Sequence, residues 1–461
     1  MNKWLRRGLL AIYLPVAQNL VLALQQLKIW LRMQQVPMVI IWQILMVAAV
    51  LLLIPGLYLH AAPARDKVKT ALRLRIMLGG RSLIYCGLYG MAAQMAVFFG
   101  LYPRLWAGEG PGPATVPGLL FNGIWALLAV FLYLANGVVR IFCTSRRLSI
   151  VRRVVMVLTM WIPLVNLAVL LYACRLVYEE YDFERGKTLL RELRTDTHLC
   201  ATRYPLLLVH GIGFRDLRYF NYWGRIPREL MRNGAVIYYG NQEALGTVAS
   251  NGENIRHRIF QILEETGCQK VNILAHSKGG LDARYAISKL EMAPYVASLT
   301  TINTPHGGCR FVDRACKLPE GLYRFVAACF DRSFRKLGDK NPDFYTATHQ
   351  FSTWETARLN EEMPDKPGVY YQSYMSKMKH AWSHFLLCIP YCMIRHLEGE
   401  NDGLVSVSSA RWGEFQGIFS NSHSRGISHG DMIDLTREDY RGFDVTETYV
   451  QIVSELKRKG F

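Results

Sequence analysis

Four long apolar segments dominate the first 174 residues of the chain. Each has about 20 residues or more, which at the rise of an α-helix is enough to cross the hydrocarbon core of a membrane. A further stretch, Leu9–Leu31, has polar interruptions between Gln18 and Lys28, so it fits either a fifth span or an amphipathic interfacial helix. Residues 1–174 are therefore predicted to be a transmembrane helical domain of four or five spans. The four segments are Pro37–Leu59, Ser82–Tyr102, Val116–Phe142 and Val154–Cys174.

A charged connector, residues 175–203, separates these segments from a different pattern. Short apolar runs then alternate with amphipathic stretches of helical length, which is typical of a parallel sheet covered by helices on both faces. Residues 204–461 are therefore predicted to form one α/β domain. The predicted strands are Pro205–Val209, Ala235–Tyr239, Val271–Ala275, Val296–Asn303, Gly368–Ser373 and Tyr391–Leu397.

The positive charge of the chain is concentrated in its apolar part. The net charge is +18; residues 1–174 carry 17 Lys and Arg against Asp66 and Glu109, whereas residues 175–461 carry 37 against 34. Because these cations lie between apolar segments and not on a polar face, the pattern indicates a membrane protein and argues against a nucleic-acid partner.

Two short loops, residues 65–81 and 146–153, hold most of these cations, and the loop between them offers only Arg104. By the positive-inside rule, both basic loops are cytoplasmic. Alternation of four spans then places the chain after Cys174 outside. We therefore expect an integral protein of a bacterial cell membrane with its α/β domain on the extracytoplasmic side.

A candidate nucleophile lies at the end of the third predicted strand. The run Lys270–Ala275 is apolar and is followed by His276, Ser277, Lys278 and two glycines before a helix-forming stretch. This is the form of a nucleophile elbow, in which a strained strand-to-helix turn exposes a serine hydroxyl. Small residues two positions before and after the serine, here Ala275 and Gly279, avoid collisions with neighbouring elements. A serine that only caps the helix gives a similar pattern.

A second loop supplies candidate oxyanion-hole donors. The apolar run Pro205–Val209 ends in His210-Gly211-Ile212-Gly213, and acyl transfer needs two backbone N–H groups where negative charge develops on the carbonyl oxygen. The candidate donors are the amides of Ile212 and Lys278. An ordinary glycine turn is the alternative for this loop.

Two downstream residues complete a possible catalytic triad. Asp402 precedes a glycine in a loop, and His429 lies near the C-terminus, so the order Ser277, Asp402, His429 is that of an α/β-hydrolase triad. His429 would take the serine proton as general base, and Asp402 would fix its tautomer. Alternatives remain open for both partners: Glu398 or Glu400 for the acid, and His380, His384, His396 or His423 for the base.

Together these segments resemble the bacterial triacylglycerol lipases of the α/β-hydrolase superfamily. The matching pieces are Val209–Gly213, Ala275–Gly280, Thr300–Gly308, Asn401–Val405 and Ser428–Asp431, spread over about half of the chain. The resemblance implies Ser277 as nucleophile, Asp402 as acid, His429 as base and Ile212 with Lys278 as oxyanion-hole amides. It also implies a structural role for His306.

The resemblance also bears on the lid, on charge and on calcium. Residues 309–366 are rich in aromatic and apolar side chains and correspond either to a lid that opens on a lipid surface or to an ordinary helical insertion. Lys278 stands where the family more often has Gln, Met or His, and its charge would bias the site toward anionic substrates. Asp431 matches one calcium ligand of some relatives, but its other ligands are not identifiable, so no metal is predicted.

The sequence thus predicts a membrane-embedded serine hydrolase, a lipase or esterase, that cleaves carboxylic esters of lipids through an acyl-serine intermediate. That mechanism needs no cofactor. An acyltransferase or glycolipid deacylase would use the same triad. A third alternative is a catalytically inactive receptor or scaffold, in which the site would be incomplete.

Overall fold

The computed structural model describes residues 3–107, 115–194, 198–213, 221–421, 425–437 and 442–461. The chain divides into two compact units, Met1–Leu193 and Arg194–Phe461.

The first unit is entirely helical in its described residues. Three of its helices are long and apolar enough to cross a membrane: Met38–Ala61, Leu72–Trp106 (which includes a π-helical turn at Val97–Leu101) and Val116–Thr144. The interrupted stretch near the N-terminus forms two helices bent by 82° at Asn19, which together pass the same test. The helices are Lys3–Gln18, Leu20–Met33, Met38–Ala61, Leu72–Ala96, Tyr102–Trp106, Val116–Thr144, Ile150–Leu158 and Pro163–Leu193.

The fourth predicted span is wrong as a single helix. Residues 154–174 are divided between the helices Ile150–Leu158 and Pro163–Leu193, with a turn between them. Proline has no backbone N–H and disfavours a helical conformation in the residue before it, so Pro163 starts a helix and does not continue one. The second of these helices runs on to Leu193, through much of the predicted connector.

The middle of this last helix lies beside both basic loops. The carboxylate of Glu180 is 2.6 Å from Arg73 Nη1, and it also accepts hydrogen bonds from the Ser145 hydroxyl and the amides of Arg146 and Arg147. One residue on, Tyr181 donates to Asp66 in the other basic loop. The chain therefore leaves the loop at 145–149 and returns to the same side by residue 180. The extracytoplasmic placement of the second unit depended on a single span over residues 154–174, and the described helices do not form one.

The second unit is built on one six-stranded parallel sheet. Its strands are β1 (Leu206–Val209), β2 (Ile237–Tyr239), β3 (Val271–His276), β4 (Val296–Ile302), β5 (Tyr370–Ser376) and β6 (Glu414–Phe419). They lie in the order β2-β1-β3-β4-β5-β6, and every neighbouring pair is parallel. Helices between successive strands complete the α/β-hydrolase fold that the sequence predicted.

Alternate residues of β1 pack into two different cores. Leu206 and Leu208 contribute to a cluster that includes Trp223 and Tyr449, whereas Leu207 and Val209 contribute to a cluster on the other face. All four strand residues are fully buried, because helices cover both faces of a parallel sheet. The helices of this unit are Ile226–Arg232, Val248–Thr266, Gly279–Ser288, Arg310–Ala315, Glu320–Lys336, Phe344–His349, Thr353–Glu362, Cys388–Leu397 and Val445–Arg458, with 3₁₀ turns at Ala293–Tyr295, Ala381–Ser383, Phe385–Leu387 and His429–Ile433.

One predicted strand is a helix. Residues 391–397 lie in the helix Cys388–Leu397, where Tyr391 and Ile394, three positions apart, are the buried side chains. The sixth strand is instead Glu414–Phe419, whose residues are exposed or only partly buried. The proposed lid, residues 309–366, contains four helices between β4 and β5, and its apolar side chains at Leu318, Leu322 and Phe325 are exposed.

Candidate active site

The candidate site lies where the strand order of the sheet reverses. The chain passes from β1 to β2 on one side and then to β3 on the other side of β1, and loops at such a switch point diverge to leave a crevice at the carboxyl ends of the strands. The loop after β1 contains Ile212, and the turn after β3 contains Ser277. The fold therefore brings the predicted oxyanion loop and the predicted nucleophile to one edge of the sheet.

Ser277 occupies a strained turn between β3 and the helix Gly279–Ser288. Its φ is +55°, a left-handed conformation that is unfavourable for a residue with a Cβ. Hydrogen bonds hold the turn on both sides: the Ser277 amide donates to Ile302 O, and the Thr304 hydroxyl donates to Ser277 O. Strain supported by surrounding hydrogen bonds is the local structure expected of a nucleophile elbow.

Glycines permit the close packing around this turn. A Cβ on Gly279 would lie 2.4 Å from the carbonyl oxygen of His210, and one on Gly211 would lie 2.8 Å from Ser277 Cβ. The loop after β1 therefore passes directly over the elbow. Among the described residues, neither the Ile212 amide nor the Lys278 amide donates a hydrogen bond.

Asp402 and His429 form a buried pair. His429 Nδ1 is 2.7 Å from Asp402 Oδ2, and the His429 amide donates to Asp402 O. The other carboxylate oxygen of Asp402 accepts from the amides of Leu404 and Val405. With one oxygen committed to backbone amides, the carboxylate presents the second oxygen to the imidazole in a fixed direction. This leaves Nε2 as the ring nitrogen that can act as a base.

The other candidate acids and bases lie elsewhere. Glu398 accepts from the Arg310 amide and the Ser406 hydroxyl, and the exposed Glu400 pairs with Lys377. Of the other candidate histidines in the described residues, none contacts Asp402: His380 and His396 are exposed and His384 is half-buried. His423 lies outside the described residues.

No hydrogen bond joins Ser277 to His429 in the described structure. The His429 ring instead packs against the ring of His276, the residue before the serine, with ring centroids 4.5 Å apart. Hydrogen bonds between catalytic groups are often long in the absence of substrate and tighten when it binds. The site as described is thus an ordered Asp–His pair next to a separately ordered serine.

His276 and Tyr222 are two site residues that sequence reasoning missed. The Tyr222 hydroxyl is 2.8 Å from His276 Nδ1, and the same hydroxyl lies against Gly211 of the oxyanion loop. Burial lowers the pKa of His276 well below its ordinary value, and neighbouring His429 lowers it further. The His276 ring packs against the His429 ring. The sequence signal that could have identified His276 is its position immediately before Ser277.

The side chain of Lys278 does not face the site, contrary to the prediction that it biases the site toward anionic substrates. It is 1% exposed, and its ammonium pairs with Asp282 one helical turn later at 2.5 Å. Burial lowers the pKa of Lys278 and raises the pKa of Asp282 to about 6. The charge is therefore neutralised inside the protein, and only the Lys278 amide reaches the elbow.

Two further motif residues have roles away from the reacting groups. His306 is buried, stacks on Trp412 and lies 3.0 Å from the Thr301 hydroxyl, which agrees with the structural role implied for it. Asp431 accepts the Ser428 amide and lies 3.5 Å from Arg425. In the described residues no group of three or more His, Cys, Asp or Glu side chains is arranged to hold a metal ion.

Residues 206–324 match a family model described as "Putative serine esterase (DUF676)". The matched region includes β1, the oxyanion loop, Ser277 and part of the helical insertion. It ends before Asp402 and His429.

Two triacylglycerol lipases illustrate the similarity in sequence. The lipase of Pseudarthrobacter phenanthrenivorans is 36% identical over 183 residues, which are 37% of this chain and 56% of that protein. Triacylglycerol lipase 2 of Saccharomyces cerevisiae is 26% identical over 274 residues, or 54% of this chain and 77% of that protein. The chain thus spans little more than half the length of the first of these relatives. Among solved structures, the Staphylococcus hyicus lipase is 18% identical, with a TM-score of 0.45 and coverage of 56% of this chain and 97% of that one.

Proposed function

We propose that residues 194–461 are a serine ester hydrolase that cleaves carboxylic esters of lipids, with Ser277 as nucleophile, His429 as general base and Asp402 as the acid that orients it. The observation that carries this proposal is the buried Asp402–His429 pair, formed beside a serine held at positive φ. Similarity to triacylglycerol lipases over the same part of the chain supports the choice of ester chemistry.

The reaction follows from this arrangement. His429 Nε2 takes the hydroxyl proton as Ser277 Oγ bonds to the ester carbonyl carbon, and the amides of Ile212 and Lys278 stabilise the oxyanion. The carbon–oxygen bond to the alcohol then breaks, and His429 returns the proton to that leaving group. Water, deprotonated by His429, then attacks the acyl carbon. The bond from that carbon to Ser277 Oγ breaks, His429 returns the proton to Ser277 Oγ, and the carboxylic acid is released. Substrate binding has to bring Ser277 Oγ within about 3 Å of His429 Nε2 before the first step.

Exposed apolar side chains close to the site support a lipid substrate. Trp382, Phe385, Leu386 and Ile389 are 74%, 79%, 76% and 75% exposed, respectively. Their segment is attached next to the acid residue, because the Met378 amide donates to Asn401 O and Arg425 donates to Ser383 O. Large apolar side chains clustered on a surface indicate an interface with a protein or a membrane. Here they would let the site draw its ester from a bilayer.

We further propose that the first unit is a membrane anchor and that the second unit follows it on the cytoplasmic side. The three apolar helices support the anchor. The contacts of Glu180 with Arg73 and with the loop at 145–147 support the cytoplasmic placement, because both basic loops are cytoplasmic by the positive-inside rule.

Labelling with a fluorophosphonate probe tests the proposed chemistry, because such a probe reacts with an activated serine. The full chain in detergent should be labelled, and Ser277→Ala should not be. Ser409→Ala is a matched control, since Ser409 is buried but hydrogen-bonds Gly308 O. Absence of labelling in the folded wild-type protein would favour an inactive scaffold. Labelling that persists in Ser277→Ala would mean that another serine is the nucleophile.

A further inference from the structure

A chain of buried polar contacts connects the two proposed oxyanion-hole loops. It begins at Lys278, whose amide is one proposed donor and whose ammonium pairs with Asp282 Oδ1. Asp282 Oδ2 accepts a hydrogen bond of 3.0 Å from Asn251 Nδ2, on the helix Val248–Thr266. Both charged side chains are 1% exposed, so no part of this connection reaches solvent.

Asn251 carries the connection onward to a loop after β2. Its Nδ2 also donates to Glu243 O, and its Oδ1 accepts from the Glu243 amide, so one side-chain amide holds both backbone groups of Glu243. The next residue, Ala244, accepts a hydrogen bond from the Gly213 amide at 3.0 Å. Gly213 follows Ile212, the second proposed donor.

The helical insertion secures the same loop from another side. Asp339 accepts hydrogen bonds from the amides of Ala244 and Leu245, and Glu243 accepts from the Lys340 amide. The loop that supports Gly213 is thus fixed by two elements distant in sequence. A displacement of Asn251 would be transmitted to Ile212 through Glu243, Ala244 and Gly213.

We propose that Lys278, Asp282 and Asn251 are positioning residues that fix the distance between the amides of Ile212 and Lys278, which rests on the oxyanion hole assigned in the proposed function. A buried ion pair is a costly way to stabilise a fold, because two well-packed apolar side chains stabilise it as well or better. Here the charged pair provides something that apolar packing does not: directional contacts from the elbow helix to Asn251. Oxyanion-hole donors act only when their geometry is set in advance.

The test separates folding from positioning. Lys278→Met/Asp282→Leu replaces the ion pair by apolar side chains of similar size and keeps the Lys278 amide. We expect an unchanged or higher unfolding temperature, a kcat for a short water-soluble p-nitrophenyl ester at least 10-fold lower, and a KM within twofold of wild type. A stable double variant with wild-type kcat would overturn the proposal, because the pair would then serve the fold alone.

Controls keep the outcome interpretable. Lys289→Met/Glu362→Leu removes a partly exposed pair at the end of the same helix and should leave kcat unchanged. If the double variant does not fold, Asn251→Ala, which keeps the ion pair, should lower kcat with KM unchanged; wild-type kcat in that variant would also overturn the proposal. If wild-type protein itself fails to hydrolyse the ester or to react with fluorophosphonate, the proposed function fails, and not only the role of the ion pair.

Discussion

At the scale of single residues, a few backbone groups set the orientation of the Asp402 carboxylate and, through it, of the His429 ring. The amides of Leu404 and Val405 occupy one oxygen of Asp402, so the other oxygen receives His429 Nδ1. The fixed carboxylate holds the imidazole in the tautomer whose Nε2 lone pair faces outward. In the proposed mechanism Asp402 would thus act through the orientation and tautomer of the ring.

Asp402→Asn should therefore abolish most activity without unfolding the protein. An amide can donate to Nδ1 and so favours the wrong tautomer, and in triads of this type such a change lowers kcat by about 10⁴-fold. The measurement is kcat for a soluble ester together with the unfolding temperature. Glu400→Gln, which removes an exposed carboxylate paired with Lys377, is the control and should retain wild-type kcat. A wild-type kcat in Asp402→Asn, with a loss only in Glu400→Gln, would exclude Asp402 as the acid.

At the scale of elements, the segment from Ala381 to Leu397 has one buried face and one exposed face. Tyr391 and Ile394 pack inward, whereas Leu386 and Ile389 point to solvent. The two exposed residues are the substitution sites, because they take no part in the buried contacts of the segment.

Leu386→Ser/Ile389→Ser should lower hydrolysis of a lipid ester in bilayer nanodiscs at least fivefold and leave hydrolysis of a soluble ester unchanged. Removing exposed apolar area weakens insertion at about 25 cal/mol per Å² of surface that would be buried. Val236→Ser is the control, because Val236 is exposed at the opposite end of the sheet, where its carbonyl pairs with the first residue of β1. Equal losses on both esters would instead indicate damage to the site.

The most deeply buried strands were predicted most closely. Strands β1, β3 and β4 are buried along their whole length, and their continuous apolar runs predicted them to within about two residues. Strand β6 is partly exposed and mixes Glu414 and Gln416 with aromatic residues, so it was missed. The apolar run at 391–397 is short enough to fit a strand as well as a helix, and only the burial of Tyr391 and Ile394, three positions apart, distinguishes the two.

In the site, local motifs predicted which loops come together. They did not predict the side-chain contacts between residues far apart in sequence. The contact between the rings of His276 and His429 joins residues far apart in sequence, and no local pattern encodes it. The partner of Lys278 was in principle predictable, because Lys and Asp four residues apart on a helix face each other. Its complete burial was not, since that depends on Asn251 and the helix that carries it.

At the scale of the whole molecule, the decisive feature is the number of membrane crossings. A reporter after Phe461 should behave as cytoplasmic: green fluorescent protein should fluoresce there, and alkaline phosphatase should be inactive. The same reporters fused after Trp106, at the end of the helix Leu72–Trp106, should give the opposite pattern. An active phosphatase after Phe461 would restore the fourth crossing and the extracytoplasmic placement.

The order of the two units along the chain also sets a sequence of events during synthesis. The apolar helices leave the ribosome first, followed by the strands that carry the oxyanion loop and Ser277. Asp402 and His429 come last, and the helix Val445–Arg458 then closes the core around Tyr449. Because domains fold as units and in order of emergence, the proposed anchor would reach a bilayer before the proposed triad forms. Under the proposed function, the chain would gain the ability to cleave lipid esters only after its location is fixed.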